Sequence, residues 1–234
     1  AASVFNRPAV FSKSLFGGAA RFAGIATKQT AIFCNVRFAG AADFSGATFT
    51  QYADFSGARF DGDAMFSRSS FFAVIRTSYD MDFPQYANFA NAAFAQGADF
   101  SEATFTAFVG FGRATFAGAV SFNGANFAGA YFAGAYFADA KFSQKADFRQ
   151  TRFAYAEPSF WDSEGQQKSA RFSAQANPQD YLFEVRPESP HGFSCGEAQL
   201  LNRTFVLPVG AVLYDPDSWD EEKQEYTRVS EPAQ

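Results

Sequence analysis

The positions of phenylalanine set the first pattern in the chain. From Phe5 to Phe153 the rings recur mostly at alternating intervals of five and six residues, so a motif returns every eleven. Ala42 to Phe49 reads ADFSGATF, and Ala53 to Phe60 reads ADFSGARF. A helical period of about 3.6 would scatter these rings around an axis, and a strand period of about two would not return to one side after both intervals. Two residues before the rings the chain is small: of 26 such positions 18 are Ala, and of the rest only Met81 is large. The residues between are Gly, Ser, Asp, Asn, Thr, Gln or charged, which suits outward turns. A large ring repeating with a small partner predicts two inward positions on each side of a narrow tube, with alanine letting the backbone turn the corner.

This pattern resembles the pentapeptide-repeat family, whose units read A-(D/N)-(L/F)-x-x. The resemblance covers Phe5 to Phe153, about two-thirds of the chain. It implies an all-β fold, a right-handed quadrilateral parallel β-helix in which four units make a square coil and coils stack through parallel bridges. The sixth residue in alternate units departs from the family pattern. It predicts a one-residue bulge at alternate corners and a coil of 22 residues rather than 20. About seven coils at ~4.8 Å each give a rod ~33 Å long. Phe122 to Phe142 runs on strict fives and predicts one regular coil. Thr27 stands where a ring is expected, and Phe72 to Asp82 lacks a clean match, predicting a protruding loop.

The organisation expected is a repeat β-helix over 1–160, a capping segment over 161–178, and an acidic tail or small appended domain over 179–234. Ser163-Glu164-Gly165-Gln166 resembles a capping box, and a short helix to Ala176 would cover the last coil, whose unpaired strand edges need covering. Beyond it Tyr181–Arg186, Leu200–Val206 and Val209–Tyr214 read as strands, and Asp217–Tyr226 as an acidic helix or loop. The prolines at 187, 190, 208, 216 and 232 favour an extended arm over a compact domain.

Composition supports one pocket shape repeated many times, for there are 33 Phe against 2 Met and 2 Trp. The net charge of −5 is unevenly spread. Residues 1–37 carry five bases and no acid, residues 38–153 ten acids and eight bases, and residues 154–234 fourteen acids and six bases. Such a dipole can orient the rod on a partner or favour head-to-tail self-association. Cys34 and Cys195 do not make a disulfide-stapled domain; two independent buried thiols are expected, with one long-range bridge as the alternative if the tail folds back. No apolar run is long enough for a transmembrane helix.

Candidate chemistry is sparse. The single His191 lies in Ser189-Pro190-His191-Gly192 with no nucleophile signature around it, and with two distant cysteines it makes no zinc site. No cofactor is implied. Asp43, Asp54 and Asp99 precede ladder rings, and a column of such carboxylates would suit a carbohydrate-active or calcium-dependent β-helix enzyme; Asp is equally expected there as a turn former. Asn202-Arg203-Thr204 is a glycosylation sequon.

Some members of the family are similar to duplex DNA in shape and charge and protect DNA gyrase. This body is too weakly acidic for that mimicry, and no sustained basic stripe points to nucleic acid. The leading expectation is a non-catalytic interaction protein, a rigid scaffold or peripheral subunit docking onto a larger protein assembly. Two surfaces are candidates for the partner. The uncharged stretch from Ala114 to Ala138 offers Asn123, Asn126, Tyr131 and Tyr136, and the acidic tail offers Trp219, Glu221 and Glu222. The start at Ala1-Ala2-Ser3 suits a trimmed precursor. With the luminal relatives of cyanobacteria and chloroplasts it suggests an organellar lumen, such as the thylakoid lumen, or a periplasm; the alternative is the cytoplasm.

Overall fold

A computed structural model of the chain describes residues 3–72, 87–106, 108–128, 135–162 and 168–234. Its body is a four-sided stack of very short strands. The first face begins with Val4–Phe5, the second with Ala9–Val10, the third with Leu15–Phe16 and the fourth with Ala20–Arg21. Each strand pairs in parallel with its counterpart one coil on, giving sheets of seven, six, eight and seven strands. Ala9 meets Ala31 and Ala31 meets Ala53, so the register advances by the expected 22 residues.

The interior follows from the pattern of large and small residues. Four columns of rings run along the axis, and within a column successive rings stack face to face, as Phe33 on Phe55 at 4.9 Å between centroids. Rings of the second and fourth faces meet across the tube edge to face, as Phe33 and Phe44 at 5.3 Å and 84°. Both arrangements are those that the aromatic quadrupole favours. The small partner positions, such as Ala31, Ala42, Ala47 and Ala58, are fully buried beside them.

The two spacings correspond to two kinds of corner. Five-residue units leave the second and fourth faces through a tight turn whose second residue is left-handed: Asn35, Gly46, Gly57, Arg68, Asn91 and Glu102 all have φ between 55° and 63°. The ring carbonyl closes each turn, as in the 3.0 Å bond from the Ala47 amide to Phe44. Six-residue units leave the first and third faces and carry the extra residue. On the corner after the third face two glycines are set by close approach rather than by φ, although Gln96 holds the equivalent position in the coil between them: a Cβ on Gly62 would lie 2.7 Å from the Gly40 carbonyl carbon, and one on Gly118 would lie 2.4 Å from the Gln96 oxygen.

Thr27 occupies a ring position on the first face and is buried, 1% exposed, with its hydroxyl lacking a hydrogen-bond partner among the described residues. A buried unsatisfied hydroxyl costs about 1–3 kcal/mol. Thr27→Val keeps the shape and removes the polar atom. It is expected to raise stability by about 1 kcal/mol, read as a higher urea midpoint with an unchanged slope.

Several expectations need correction. The strict fives do not make a regular coil: past residue 128 the register lengthens to 26, as in Asn126 opposite Arg152, and the ladder passes from Phe127 to Phe137. Phe132 falls outside the described residues. A longer addition precedes it, for Ser70 pairs with Thr104, 34 residues away, and the loop expected at 72–82 falls almost entirely on residues 73–86, outside the described set. Both additions fall on the corner between first and second faces, between Phe71 and Ala87 and between Phe127 and Ala135.

The stack also does not stop at residue 160. Arg171–Ser173 and Val212–Tyr214 extend the third face, and Tyr181–Leu182 extends the fourth. In place of the expected helix to Ala176, the described part of that segment holds the strand Arg171–Ser173, because Phe172 continues the ring column 4.7 Å from Phe142.

Nor is the tail an extended arm. Cys195–Leu200 and Arg203–Pro208 form an antiparallel hairpin with a two-residue tip, Leu201 and Asn202, both left-handed. It buries Ala198, Phe205 and Leu207 over the end of the tube. Instead of a helix, Pro216–Ser218 forms a short 3-10 turn, and Trp219–Asp220 pairs with Glu225–Tyr226 as a second hairpin. The thiols differ from expectation as well: both are free, but Cys34 is half-buried and Cys195 exposed.

Candidate functional site

The outward aspartates are occupied by the fold. Asp43, Asp54 and Asp99 each accept the amide two residues on, at 2.9 Å, fixing the corner that follows. They do not form one column either. Asp54 lies on the second face, while on the fourth Met65 separates Asp43 from Asp99 and Ser121 separates Asp99 from Asp147. His191 bridges to Phe153 in the cap. The stacked carboxylates that a carbohydrate-active or calcium-dependent site requires are not assembled by these residues.

Among the described residues of the neutral stretch, the expected partner-binding side chains are dispersed. Tyr131 lies outside the described residues. Tyr136, on the second face, is half-buried: its ring fills the space above Gly112, where a Cβ would approach Cε1 to 3.0 Å. Burial, reinforced by the Asp162 carboxylate that accepts its hydroxyl, pushes the phenol pKa up. Asn126 lies on the first face with its side-chain oxygen 3.4 Å from an Arg152 nitrogen, and Asn123 sits in the corner before it. These residues face different directions, so they do not make one patch.

Trp219, Glu221 and Glu222 are brought together. They lie on the second hairpin, packed over the third face at the end of the stack. Tyr226 anchors that hairpin: its hydroxyl accepts from Lys141 Nζ at 3.1 Å, and its ring lies 4.5 Å from Tyr214 and 4.9 Å from Trp219. Tyr214 is buried, and its phenol, bonded to Ser143 at 2.9 Å, is pushed up to about 12 by desolvation. At the base of the hairpin Asp215 is buried. Desolvation works against its charge, but the Asp217 amide and Arg228 outweigh it and hold the carboxyl below the usual range. On this rigid base Trp219 is 40% exposed and Glu221, Glu222 and Glu225 point into solvent.

Sequence reasoning missed the cleft beside this hairpin. It has a volume of about 560 Å³ and lies between Trp161 and Tyr226, with Val212 and Gly210 among its lining. Trp161 is 46% exposed and rests on Gly210, whose φ of +83° and missing Cβ make room for the indole. The signal available was the glycine of Val209-Gly210-Ala211, but nothing in the sequence pairs it with a tryptophan 49 residues earlier.

Comparison with known proteins agrees with the repeat. The family of pentapeptide repeats in nine copies matches residues 28–70, and that of pentapeptide repeats in eight copies matches residues 111–144 and 118–153. Among solved structures the chain is similar to trypsin-treated QnrB1, a plasmid-mediated fluoroquinolone resistance protein. The identity is 22%, over 76% of this chain and 77% of that one, with a TM-score of 0.18. No curated protein matches.

Proposed function

Starting from a pentapeptide-repeat protein, we propose that this chain is a non-catalytic interaction module, a stiff scaffold that docks onto a larger protein assembly through its C-terminal cap. The observation that carries this reading is the concentration of exposed aromatic and acidic groups on one braced hairpin. Trp219 stands beside Glu221 and Glu222, and the hairpin's foot is fixed by Asp215, Arg228, Tyr226 and Lys141. An exposed indole on a preorganised base is the kind of group that dominates protein interfaces, because little ordering entropy is lost when it is covered. Stacked coils hold that hairpin at a fixed distance from the other end of the rod.

The test is a triple variant, Trp219→Ala with Glu221→Lys and Glu222→Lys, all at exposed positions. Tagged wild-type chain should retain a defined protein partner through purification from its native source, and the variant should lose it while keeping the parent's melting temperature to within about 2 °C. Retention of the same partner by the variant would refute docking at the cap. A calcium-dependent rise in melting temperature would instead favour the carbohydrate-active reading.

A further inference from the structure

The cleft beside the docking hairpin has its own chemistry. One wall is the Trp161 indole seated on Gly210, and the other is Tyr226, held by Lys141 and packed tilted against Tyr214 and edge-on against Trp219. Val209, Val212 and Val229 add aliphatic surface, and Val209 and Val229 are 42% and 41% exposed. A volume of about 560 Å³ exceeds what one side chain fills and suits two or three residues of an extended segment. Carboxylates outnumber bases on the hairpin beside it, where Lys223, paired with Asp220 at 3.6 Å, stands among Glu221, Glu222 and Glu225. Arg171, the base in the lining, is paired with Asp139 at 3.2 Å, and Asp139 also faces Arg113 at 3.6 Å. Glu225 lines the opposite wall exposed to solvent, and Glu221 and Glu222 continue the acidic rim along the same hairpin.

Resting on the interaction reading above, we infer that the cleft takes an extended peptide segment of the partner, with an apolar side chain between Trp161 and Tyr226 and flanking lysines or arginines on the Glu225 rim. Apolar contact supplies the anchor. The carboxylate row sets the sign of the partner's charge and makes the encounter salt-sensitive.

Both tryptophans of the chain, Trp161 in the cleft wall and Trp219 on the hairpin beside it, lie at this end, so tryptophan-selective emission of the intact protein reports from this end of the rod. Three capped, fluorescein-labelled peptides serve as probes: alternating Lys-Leu, alternating Glu-Leu and alternating Lys-Ser. The Lys-Leu peptide should shift the tryptophan emission and bind by anisotropy at least about tenfold more tightly than either other peptide, with affinity falling about tenfold as salt is raised from 50 to 500 mM. Trp161→Ala and the surface variant Glu225→Lys should each weaken it about tenfold, with the far-ultraviolet spectrum unchanged.

Equal binding of the Glu-Leu peptide, or a Lys-Leu affinity unchanged in both variants, would overturn the proposal. If a native partner is captured and lost in the hairpin triple variant but no Lys-Leu peptide binds, the cleft assignment fails while docking stands. If the peptide binds as described but no native partner is retained, docking fails while the cleft assignment stands.

Discussion

Replacing Phe100 by alanine should cost about 3–5 kcal/mol of stability, the largest loss expected of any single ring truncation in the stack. Phe100 is fully buried and touches rings in every direction, with Phe66 and Phe122 stacked above and below at 5.0 and 5.1 Å and Phe89 and Phe111 edge-on at 5.3 Å. Truncation removes the transfer energy of the ring and leaves a hole that the three neighbouring columns cannot close, because each is pinned by its own backbone ladder. Denaturant unfolding of the variant against wild type measures the effect, and a loss below about 1 kcal/mol would mean that the ring is not part of a close-packed interior. Since each coil touches only its neighbours, losses at Phe100 and at the distant Phe38 should add.

The second large effect concerns an atom that is absent. Gly118→Ala would place a methyl 2.4 Å from the carbonyl oxygen of Gln96 in the coil below, against backbone on which the parallel ladder depends. The coils would have to separate locally, and a destabilisation of about 2–3 kcal/mol is expected. Gly110→Ala provides the comparison, because its nearest contact would be a Phe108 ring carbon at an ordinary 3.5 Å. That change should stay within about 0.5 kcal/mol. Thermal melting of the pair distinguishes them, and equal melting temperatures would show that coil spacing is softer than the backbone contacts imply.

The repeat was legible because its cause is local and recurrent. Every ring such as Phe44 or Phe55 meets the same pocket, so the residues that define it return at a fixed interval, and the 22-residue coil follows from counting. The identity of the corners was partly legible. Gly46 and Gly57 mark left-handed turns plainly, but Arg68 and Glu102 hold the same conformation under tertiary constraint and carry no such sign. The cap was not legible. In the strand Cys195–Leu200 the inward side is Gly196, Ala198 and Leu200, too small a contrast with Glu197 and Gln199 to mark an alternating strand. Gly196 in turn is small because Gln234 crosses it: a Cβ would fall within 2.2 Å of that backbone. For the candidate site, Tyr136 was expected to stand exposed, yet the gap above Gly112 and the carboxylate of Asp162 draw it in. Contacts one coil away cannot be read along the chain. Trp219, Glu221 and Glu222 were legible because a short acidic run at a turn needs no distant partner to stay exposed.

Within the body, before the last coils at the cap, the two lengthened registers depart from and return to a single edge of the prism, the one between Phe71 and Ala87 and again between Phe127 and Ala135, and ring stacking is preserved on both sides of each. That edge behaves as a hem along which sequence can be let out without unpicking the seam. Other turns on that edge stay short, as between Phe49 and Ala53, which has only Thr50, Gln51 and Tyr52. Diversity in a lineage built on this chain would therefore accumulate in one strip of the body's surface while the body's other three edges stay taut up to the cap, and a foreign epitope spliced there would ride on the rod without being felt by its interior.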